Sequence, residues 1–195
     1  MSKRAKRGFS LLEMLVALAI LVFIVMGIGV GMDAGVKIYK EAIFEADSGS
    51  MAGIINTNLG DILRYSSRVT INKGNNLRDE NDNLVRKEDV EFVFTSMDYG
   101  IHDAYFHIPV QENGTTDGVL QMTNLKKEKN LDLVNTGAYP DLKIEDFEIH
   151  YFEPGKEVDG NTIRGGYFEV SYRIVSDKYD DMSREVSTVI RLMNP

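Results

Sequence analysis

A single carboxylate interrupts a long apolar stretch near the amino terminus. Glu13 is the fifth residue of the block that begins at Phe9, FSLLEMLVALAI. A carboxylate in hydrocarbon costs roughly 2.5–3.5 kcal/mol on insertion scales, and acids within membrane segments generally have a partner. Glu13 therefore either reaches water at the membrane surface, since it lies about 6 Å along a helix from Phe9, or pairs with a cation inside the membrane.

The rest of the chain offers few side chains for catalysis or metal binding. It has no cysteine, which excludes a thiol nucleophile, an iron–sulfur cluster and a zinc site with Cys ligands. Its three histidines are His102, His107 and His150. Because His102 and His107 lie at odd spacing in one predicted strand, they should point to opposite faces and not share a metal ion. We expect no catalytic residue, no metal ion and no cofactor.

Two acidic loop segments resemble parts of calcium-binding loops. Asp79–Asn83 begins like an EF-hand loop, but Leu84 replaces the required Gly and Val90 replaces the bidentate Glu. The acids within Asp177–Asp181 form the second group. A solvated turn is the default interpretation for both segments, and calcium binding stays open.

The element that positions Glu13 is an apolar run of membrane length. Met14–Met32 has nineteen residues without a charged or strongly polar side chain, close to the about 20 that cross a bilayer. Basic residues precede it only within residues 1–8, so the positive-inside rule places the amino terminus in the cytoplasm and the bulk outside. A cleaved signal peptide and a plain signal anchor are alternatives. The run is long for the former, and neither explains Glu13.

The charge of the chain bears on its partners. The 22 Lys and Arg and 30 Asp and Glu give a net charge of −8. Four of the basic residues fall within residues 1–8, so residues 9–195 carry 18 basic and 30 acidic groups, a net charge of −12. Non-specific nucleic-acid binding needs clustered Lys and Arg. We therefore expect no nucleic-acid partner.

After Asp33 the apolar run becomes an amphipathic pattern. One helix face carries Ile38, Ala42 and Ala46, and after a possible interruption at residues 47–50 a second stripe carries Met51, Ile55, Leu59 and Ile62. This spacing predicts a helix from about residue 10 to about residue 65. We expect its outer half to lay the stripe on a sheet.

From residue 66 the apolar period becomes two, which is typical of strands. Strand-like segments follow SSRVTI at residues 90–97, 101–110, 118–124, 143–153, 167–177 and 184–193, and hairpin turns are expected at Tyr99–Gly100 and Asn113–Gly114. The Lys126–Lys129 run is expected to be a solvated loop. Together these patterns predict an α+β fold, with a long amino-terminal helix packed on an antiparallel sheet built of meanders.

The amino-terminal string KRAKRG–FSLLEMLVALAILVF resembles the class III leader of type IV prepilins and pseudopilins. The likeness consists of a short basic leader that ends in Gly8, then Phe9, then Glu13, then an unbroken apolar helix. It implies that prepilin peptidase cleaves after Gly8 on the cytoplasmic side and methylates the new amino group of Phe9. In a filament, Glu13 of one subunit would face the Phe9 amine of its neighbour.

The resemblance also implies a pilin-like architecture over the whole chain. Its parts would be a leader peptide at residues 1–8, a transmembrane and assembly half of the helix at 9–32, an amphipathic half at 33–65 and an antiparallel β head domain at 66–195. The end of the chain is similar to J-type minor pseudopilins of type II secretion and to W-type minor pilins. These likenesses imply a non-enzymatic minor subunit that helps to prime filament assembly, at the tip of a type IV pilus or secretion pseudopilus.

The partners implied are prepilin peptidase, other minor and major pilin subunits, the inner-membrane assembly platform and the membrane itself. The implied location is the cytoplasmic membrane, crossed once, and then an extracytoplasmic filament. Two alternatives stay open. The chain could be a ligand-binding or catalytic β domain on a membrane tether, or a competence pseudopilin for DNA uptake.

Overall fold

The fold is α+β, with one long helix followed by antiparallel strands. The computed structural model describes residues 10–71, 90–97, 99–110, 114–125, 129–155, 157–158, 161–162, 165–179 and 182–193. In chain order the elements are α1 (Leu11–Arg64), β1 (Arg68–Ile71), β2 (Phe92–Ser96), β3 (Ile101–His107), β4 (Gln121–Asn124), β5 (Lys129–Asp132), β6 (Leu142–Phe152), β7 (Glu157–Val158), β8 (Asn161–Thr162), β9 (Tyr167–Ser176) and β10 (Ser183–Arg191).

Helix α1 agrees closely with the helix predicted from the sequence. It is continuous through residues 47–50, where an interruption was possible. Ser48 is fully buried there, and its hydroxyl donates to the carbonyl oxygen of Glu45 at 3.4 Å. Because this bond stays within the helix, the buried hydroxyl does not interrupt the apolar side of α1.

The chain divides into two compact units, and the boundary falls inside α1 between Ile43 and Phe44. From Leu11 onward the first unit is helix, and its described side chains are exposed, apart from half-buried Lys40 and Ile43. The second unit contains the rest of α1 and all the strands. Its core is formed by α1 from Phe44 onward and by the inner faces of the two larger sheets.

The strands form more than the one sheet that the sequence predicted. A five-stranded sheet has the order β1-β2-β3-β4-β5, a three-stranded sheet has the order β10-β9-β6, and β7 pairs with β8. All of these pairings are antiparallel. The expected turn at Tyr99–Gly100 joins β2 to β3, with Gly100 at φ 61°, a conformation that favours glycine.

The buried stripe of α1 is partly the predicted one. Met51, Ile55, Leu59 and Ile62 are buried, as expected. The first predicted stripe is wrong: Ile38 is 65% exposed, and Ala42 and Ala46 are exposed too. Phe44 and Ser48 extend the buried side instead, because they continue the i, i+3/i+4 series that leads to Met51 and Ile55.

Side-chain alternation in β9 is the clearest match to the predicted strands. Phe168, Val170, Tyr172 and Ile174 all face the core and are buried. The ring of Phe168 lies 5.2 Å from that of Phe92 on β2, between centroids, so the cores of the two larger sheets are joined by aromatic packing.

Two polar side chains of the three-stranded sheet reach α1. The hydroxyl of Tyr172 donates to Asn56 Oδ1 at 3.1 Å and lies 3.3 Å from the carbonyl oxygen of Ala52. Burial raises the pKa of Tyr172 above its ordinary value, and the opposing effect of the nearby Arg184 charge on that pKa is smaller. Arg184 itself lies against the backbone and side chain of Glu45.

Two strands contain an extra residue that shifts the side-chain alternation. Asp103 in β3 has φ 48° and Asp146 in β6 has φ 50°, and the register of each strand shifts next to that residue. Aspartate visits this left-handed region more readily than most residues. In β3, both Ile101 and Ala104 face the core although they are three residues apart.

Candidate functional site

The amino-terminal half of α1 presents an apolar surface that the chain itself does not cover. Every side chain from Leu11 to Met32 is exposed. An 18-residue window of α1 has a mean hydropathy of 2.9 and is 0% buried, so the helix is long and apolar enough to cross a membrane. Exposed apolar patches far larger than those of ordinary soluble monomers indicate a membrane or another protein as the partner.

Glu13 is the only charged residue between Leu11 and Met32. It lies in the first turn of α1, where the partial positive charge of the helix amino terminus favours a carboxylate. Its neighbours Leu12 and Met14 are exposed and apolar. Glu13 is therefore the one group on this surface that can form a charged pair with another chain.

Ser10 and Glu13 bond to each other reciprocally at the start of α1. The backbone N–H of Ser10 donates to Glu13 Oε2 at 2.9 Å, and the backbone N–H of Glu13 lies 3.3 Å from Ser10 Oγ. This is a capping box, which satisfies two of the N–H groups that a helix start leaves unpaired. The Ser-x-x-Glu spacing in the sequence was a signal that could have identified Ser10.

The predicted processing residues Gly8 and Phe9 lie outside the described residues. The described chain starts at Ser10, and α1 begins at Leu11, two residues after Phe9. Glu13 therefore lies in the first helical turn, four residues after Phe9.

Four glycines follow Glu13 on the exposed apolar helix. At Gly27, Gly29, Gly31 and Gly35 an added Cβ would meet nothing within 4 Å. The helix continues through all four without a break. The glycines therefore leave open space on its surface, which permits close approach of another helix.

The histidines do not follow the predicted alternation. The extra residue in β3 lies between His102 and His107, so the argument that they must face opposite sides is wrong. His150 on β6 pairs through Nδ1 with Glu91 Oε2 at 2.8 Å. Among the described residues, no group of three or more His, Asp or Glu side chains is arranged to hold a metal ion.

The two possible calcium segments are only partly described. Asp79–Asn83 lies outside the described residues, as do Asp180 and Asp181. Asp177 is described, and its carboxylate forms an ion pair with Lys143 Nζ at 2.5 Å. Of the Lys126–Lys129 run, only Lys129 is described, and it begins strand β5 rather than lying in a loop.

The carboxy-terminal unit contains a cleft large enough for a small ligand. Its volume is about 560 Å³, and it lies between the last turns of α1 and strands β3 to β5. Ile101, Met122 and Leu133 form part of its apolar wall, and Asp61 lies on its polar side. The cleft supplies no grouping of nucleophile and base among the residues described.

Comparison with known proteins adds one finding. Residues 3–29 match a family profile described as the prokaryotic N-terminal methylation motif. No curated protein and no solved structure matches the chain. The matched segment spans Gly8, Phe9 and Glu13 and runs into the exposed apolar helix, which together fit a membrane-anchored protein with a structural role. Residues 3–29 are therefore similar to the amino-terminal segment of type IV prepilin-like proteins, the pilins and pseudopilins that prepilin peptidase processes.

Proposed function

We propose that prepilin peptidase cleaves this chain after Gly8 and methylates the amino group of Phe9. Three observations support this. The methylation motif covers both residues, the basic residues Lys3, Arg4, Lys6 and Arg7 precede the cleavage point, and the exposed apolar helix begins at Leu11, shortly after it. Residues 1–8 lie in the cytoplasm before cleavage, and residues 9–32 hold the chain in the membrane.

The mature chain then enters a filament through Glu13 and Phe9. Cleavage creates a cationic amine at Phe9, and Glu13 of one subunit pairs with that amine of the next. The observation that carries this step is that Glu13 is the lone charge on an otherwise apolar exposed surface. A buried ion pair is not necessarily more stable than an apolar contact, but an unpaired buried charge is strongly unfavourable. The pair therefore fixes the register between subunits.

Within the filament the chain acts as a minor subunit that helps to prime assembly, at the tip of a pilus or secretion pseudopilus. The similarity of its last strands to J-type and W-type subunits supports this role. The other participants are further pilin subunits and the inner-membrane assembly platform.

The experiment that tests this function is intact-mass spectrometry of the chain coexpressed with a prepilin peptidase. We expect loss of residues 1–8, a mature amino terminus at Phe9 and one added methyl group. Gly8→Ala should stay uncut, whereas Glu13→Ala should still be cut. A wild-type chain that stays whole, or that is cut near residues 32–36, would contradict the proposal and favour a tethered or secreted β domain.

A further inference from the structure

The two larger sheets of the carboxy-terminal unit end in four edge strands, and three of them are poor templates for pairing. β1 and β5 are four residues long as described. β6 is interrupted by the extra residue at Asp146, and its free side is met by Gly118, whose carbonyl oxygen accepts the Ile144 N–H at 2.9 Å. Short strands, bulges and covering segments are the usual protection of sheet edges against pairing.

The fourth edge, β10, has none of these protections. Its nine residues, Ser183–Arg191, pair with β9 in one unbroken register. At the far end of this pairing, Leu192 N–H donates to the Gly166 carbonyl oxygen at 3.0 Å. Because bonded and non-bonded pairs alternate along an antiparallel ladder, the even-numbered residues of β10 bond to β9. The N–H and C=O groups of the odd-numbered residues therefore point away from the sheet.

The outward groups of Ser183–Arg191 have no backbone partner among the described residues. The next odd-numbered residue, Met193, does have one, since its N–H donates to the carbonyl oxygen of Arg64 at 2.9 Å. The carboxyl end of α1 therefore closes the edge at Met193. The edge before it is open, and its odd-numbered side chains are exposed.

The charges on this edge are complementary to a second copy of the same strand. When two β10 strands lie antiparallel around a two-fold axis at Thr188, Glu185 of each copy is opposite Arg191 of the other. Both ion pairs then form at once, and opposite charges on directly opposed residues stabilise an antiparallel pair. Ser187 is opposite Val189 in the same arrangement, so the outward N–H and C=O groups of these four residues bond to one another.

Only this register combines the charges with the free backbone groups. An axis moved by one residue to Ser187 places Glu185 opposite Val189. An axis at Val189 places Glu185 opposite Met193, whose N–H is already bonded to Arg64. The inner face also favours the axis at Thr188, because half-buried Val186 is then opposite Ile190 of the second copy.

The side of α1 next to β10 allows a second copy to approach. Gly49 lies against the guanidinium of Arg184, a residue of β10. Positions three or four residues apart continue this side of the helix, and they are Ala46, Gly53, Thr57 and Gly60. An added Cβ at Gly53 or Gly60 would meet nothing within 4 Å. Small side chains permit the close approach of two helices, which pairing through β10 requires.

We propose that two copies of this chain dimerise through β10, which joins their three-stranded sheets into one continuous antiparallel sheet. The interface is isologous, so each copy supplies the cation and the anion that the other needs. A strand of another protein would have to carry both charges at the same spacing. All the residues of this interface belong to the second unit, Phe44–Pro195, and the inference does not rest on the proposed filament role.

The chain has no cysteine, so single introduced cysteines can test this contact. Thr188 would face its own copy in a non-hydrogen-bonded pair, where Cα atoms lie about 4.5 Å apart, within the range of a disulfide. Oxidation of the full-length Thr188→Cys chain in an excess of detergent micelles should give a disulfide-linked species of twice the chain mass. The control Glu148→Cys, at an exposed position on β6, should stay monomeric.

Charge variants in the Thr188→Cys chain test the register. Glu185→Arg alone and Arg191→Glu alone should each lose the crosslink, because like charges then lie opposite each other. An equal mixture of the two variants should regain it, since every opposed pair again joins opposite charges. A variant that had failed to fold could not be rescued by mixing, so this result separates loss of the interface from loss of the fold.

Three results in micelles would overturn the proposal. They are a folded Thr188→Cys chain that stays monomeric, equal crosslinking of Glu148→Cys, and a mixture of the charge variants that is not rescued. Oxidation in the host membrane adds a fourth, since a crosslink from Thr188→Cys to a different protein alone would assign the edge to that protein instead.

Discussion

Arg184 Nη1 lies 2.7 Å from Glu45 Oε1, and the same nitrogen lies 3.4 Å from the Glu45 carbonyl oxygen. The guanidinium crosses α1 at Gly49, where an added Cβ would lie 3.2 Å from Nη1. A side chain on the last strand of the three-stranded sheet is thus held on the helix 139 residues earlier. Glycine at position 49 gives it the space to approach.

This contact predicts different effects for two glycines of the same helix. Gly53→Ala should stabilise the chain by about 0.5–1 kcal/mol, because alanine is the better helix former and its Cβ would meet nothing within 4 Å. Gly49→Ala should stabilise the chain less than Gly53→Ala does, because its Cβ displaces the Arg184 guanidinium. Chemical denaturation of the full chain in detergent micelles measures both. Equal gains would show that the Arg184 guanidinium shifts away from the new Cβ without a cost in stability.

Adjacent isoleucines of α1 test the buried stripe. Ile55 is 0% exposed and Ile54 is 42% exposed. Ile55→Ala should lower the free energy of unfolding by about 2–5 kcal/mol, since it leaves a cavity in the core. Ile54→Ala should cost far less, and similar losses for the two variants in the same denaturation experiment would contradict the assignment of the stripe.

The buried Tyr172 hydroxyl predicts a loss of stability at alkaline pH. Its pKa is raised by burial in the folded chain from the ordinary value of 10.0, so above about pH 10 the unfolded chain loses this proton first. Stability should therefore fall as pH rises above that value and should not depend on this group below it.

The variant Tyr172→Phe separates the contribution of this hydroxyl to the loss of stability at alkaline pH from that of other groups. It should cost about 1–2 kcal/mol near neutral pH, because the hydrogen bonds to Asn56 and Ala52 are lost, and it should make the alkaline decline shallower. Burial also raises the pKa of Tyr151, so some decline should remain. Unfolding curves at several pH values measure both quantities, and an unchanged slope in the variant would refute this role of Tyr172.

Ser10→Ala should loosen the first turn of α1. Loss of the hydroxyl that caps Glu13 N–H should cost about 1 kcal/mol, and amide hydrogen exchange of residues 11–14 in micelles should become faster. Ser10→Thr keeps a capping hydroxyl and is the control. Unchanged exchange in Ser10→Ala would mean that the capping box is not populated in the unassembled chain.

Glu13→Ala should harm assembly more than folding. The variant should be processed normally, and the carboxy-terminal unit should keep its wild-type unfolding midpoint, since Glu13 is exposed and its bonds lie within the first turn of α1. Its incorporation into filaments should be lost, because the neighbouring Phe9 amine would have no carboxylate. Sheared filament fractions probed for the chain measure this. Normal incorporation of Glu13→Ala would favour a membrane tether.

Much of the helix and its membrane half could be predicted from the sequence, because periodicity and charge are local properties. The bounds of α1, the stripe from Met51 to Ile62 and the face of β9 that contains Phe168 follow from spacing alone. Residues 47–50 were harder to predict, because Ser48 is polar and yet lies on the buried side of α1, where its hydroxyl donates to the Glu45 carbonyl oxygen. The sequence does not show whether the hydrogen-bond partner of a polar side chain is a carbonyl oxygen in the preceding turn of its own helix.

The division into sheets could not be predicted, because pairing between distant strands is not a local property. The shift in β3 is an example. In the sequence, Asp103 looks like an ordinary residue of an alternating strand. Its φ of 48° shows that it is the extra residue of β3. The charged residue of the amino-terminal region was easier to predict, because Glu13 interrupts the apolar pattern around it. The position of β10 at the edge of its sheet could not be predicted in this way, because it depends on which strands lie beside it.

The extra residues at Asp103 and Asp146 are each one residue more than a regular strand needs at that point. Asparagine or glycine could replace either aspartate, since both accept a positive φ. Deletion of Asp146 would bring Ile144 and Ile149 four residues apart, so that simple alternation would keep both on the core face. In descendants of this sequence we therefore expect substitution of either aspartate, and also loss of one residue at either point, to be tolerated.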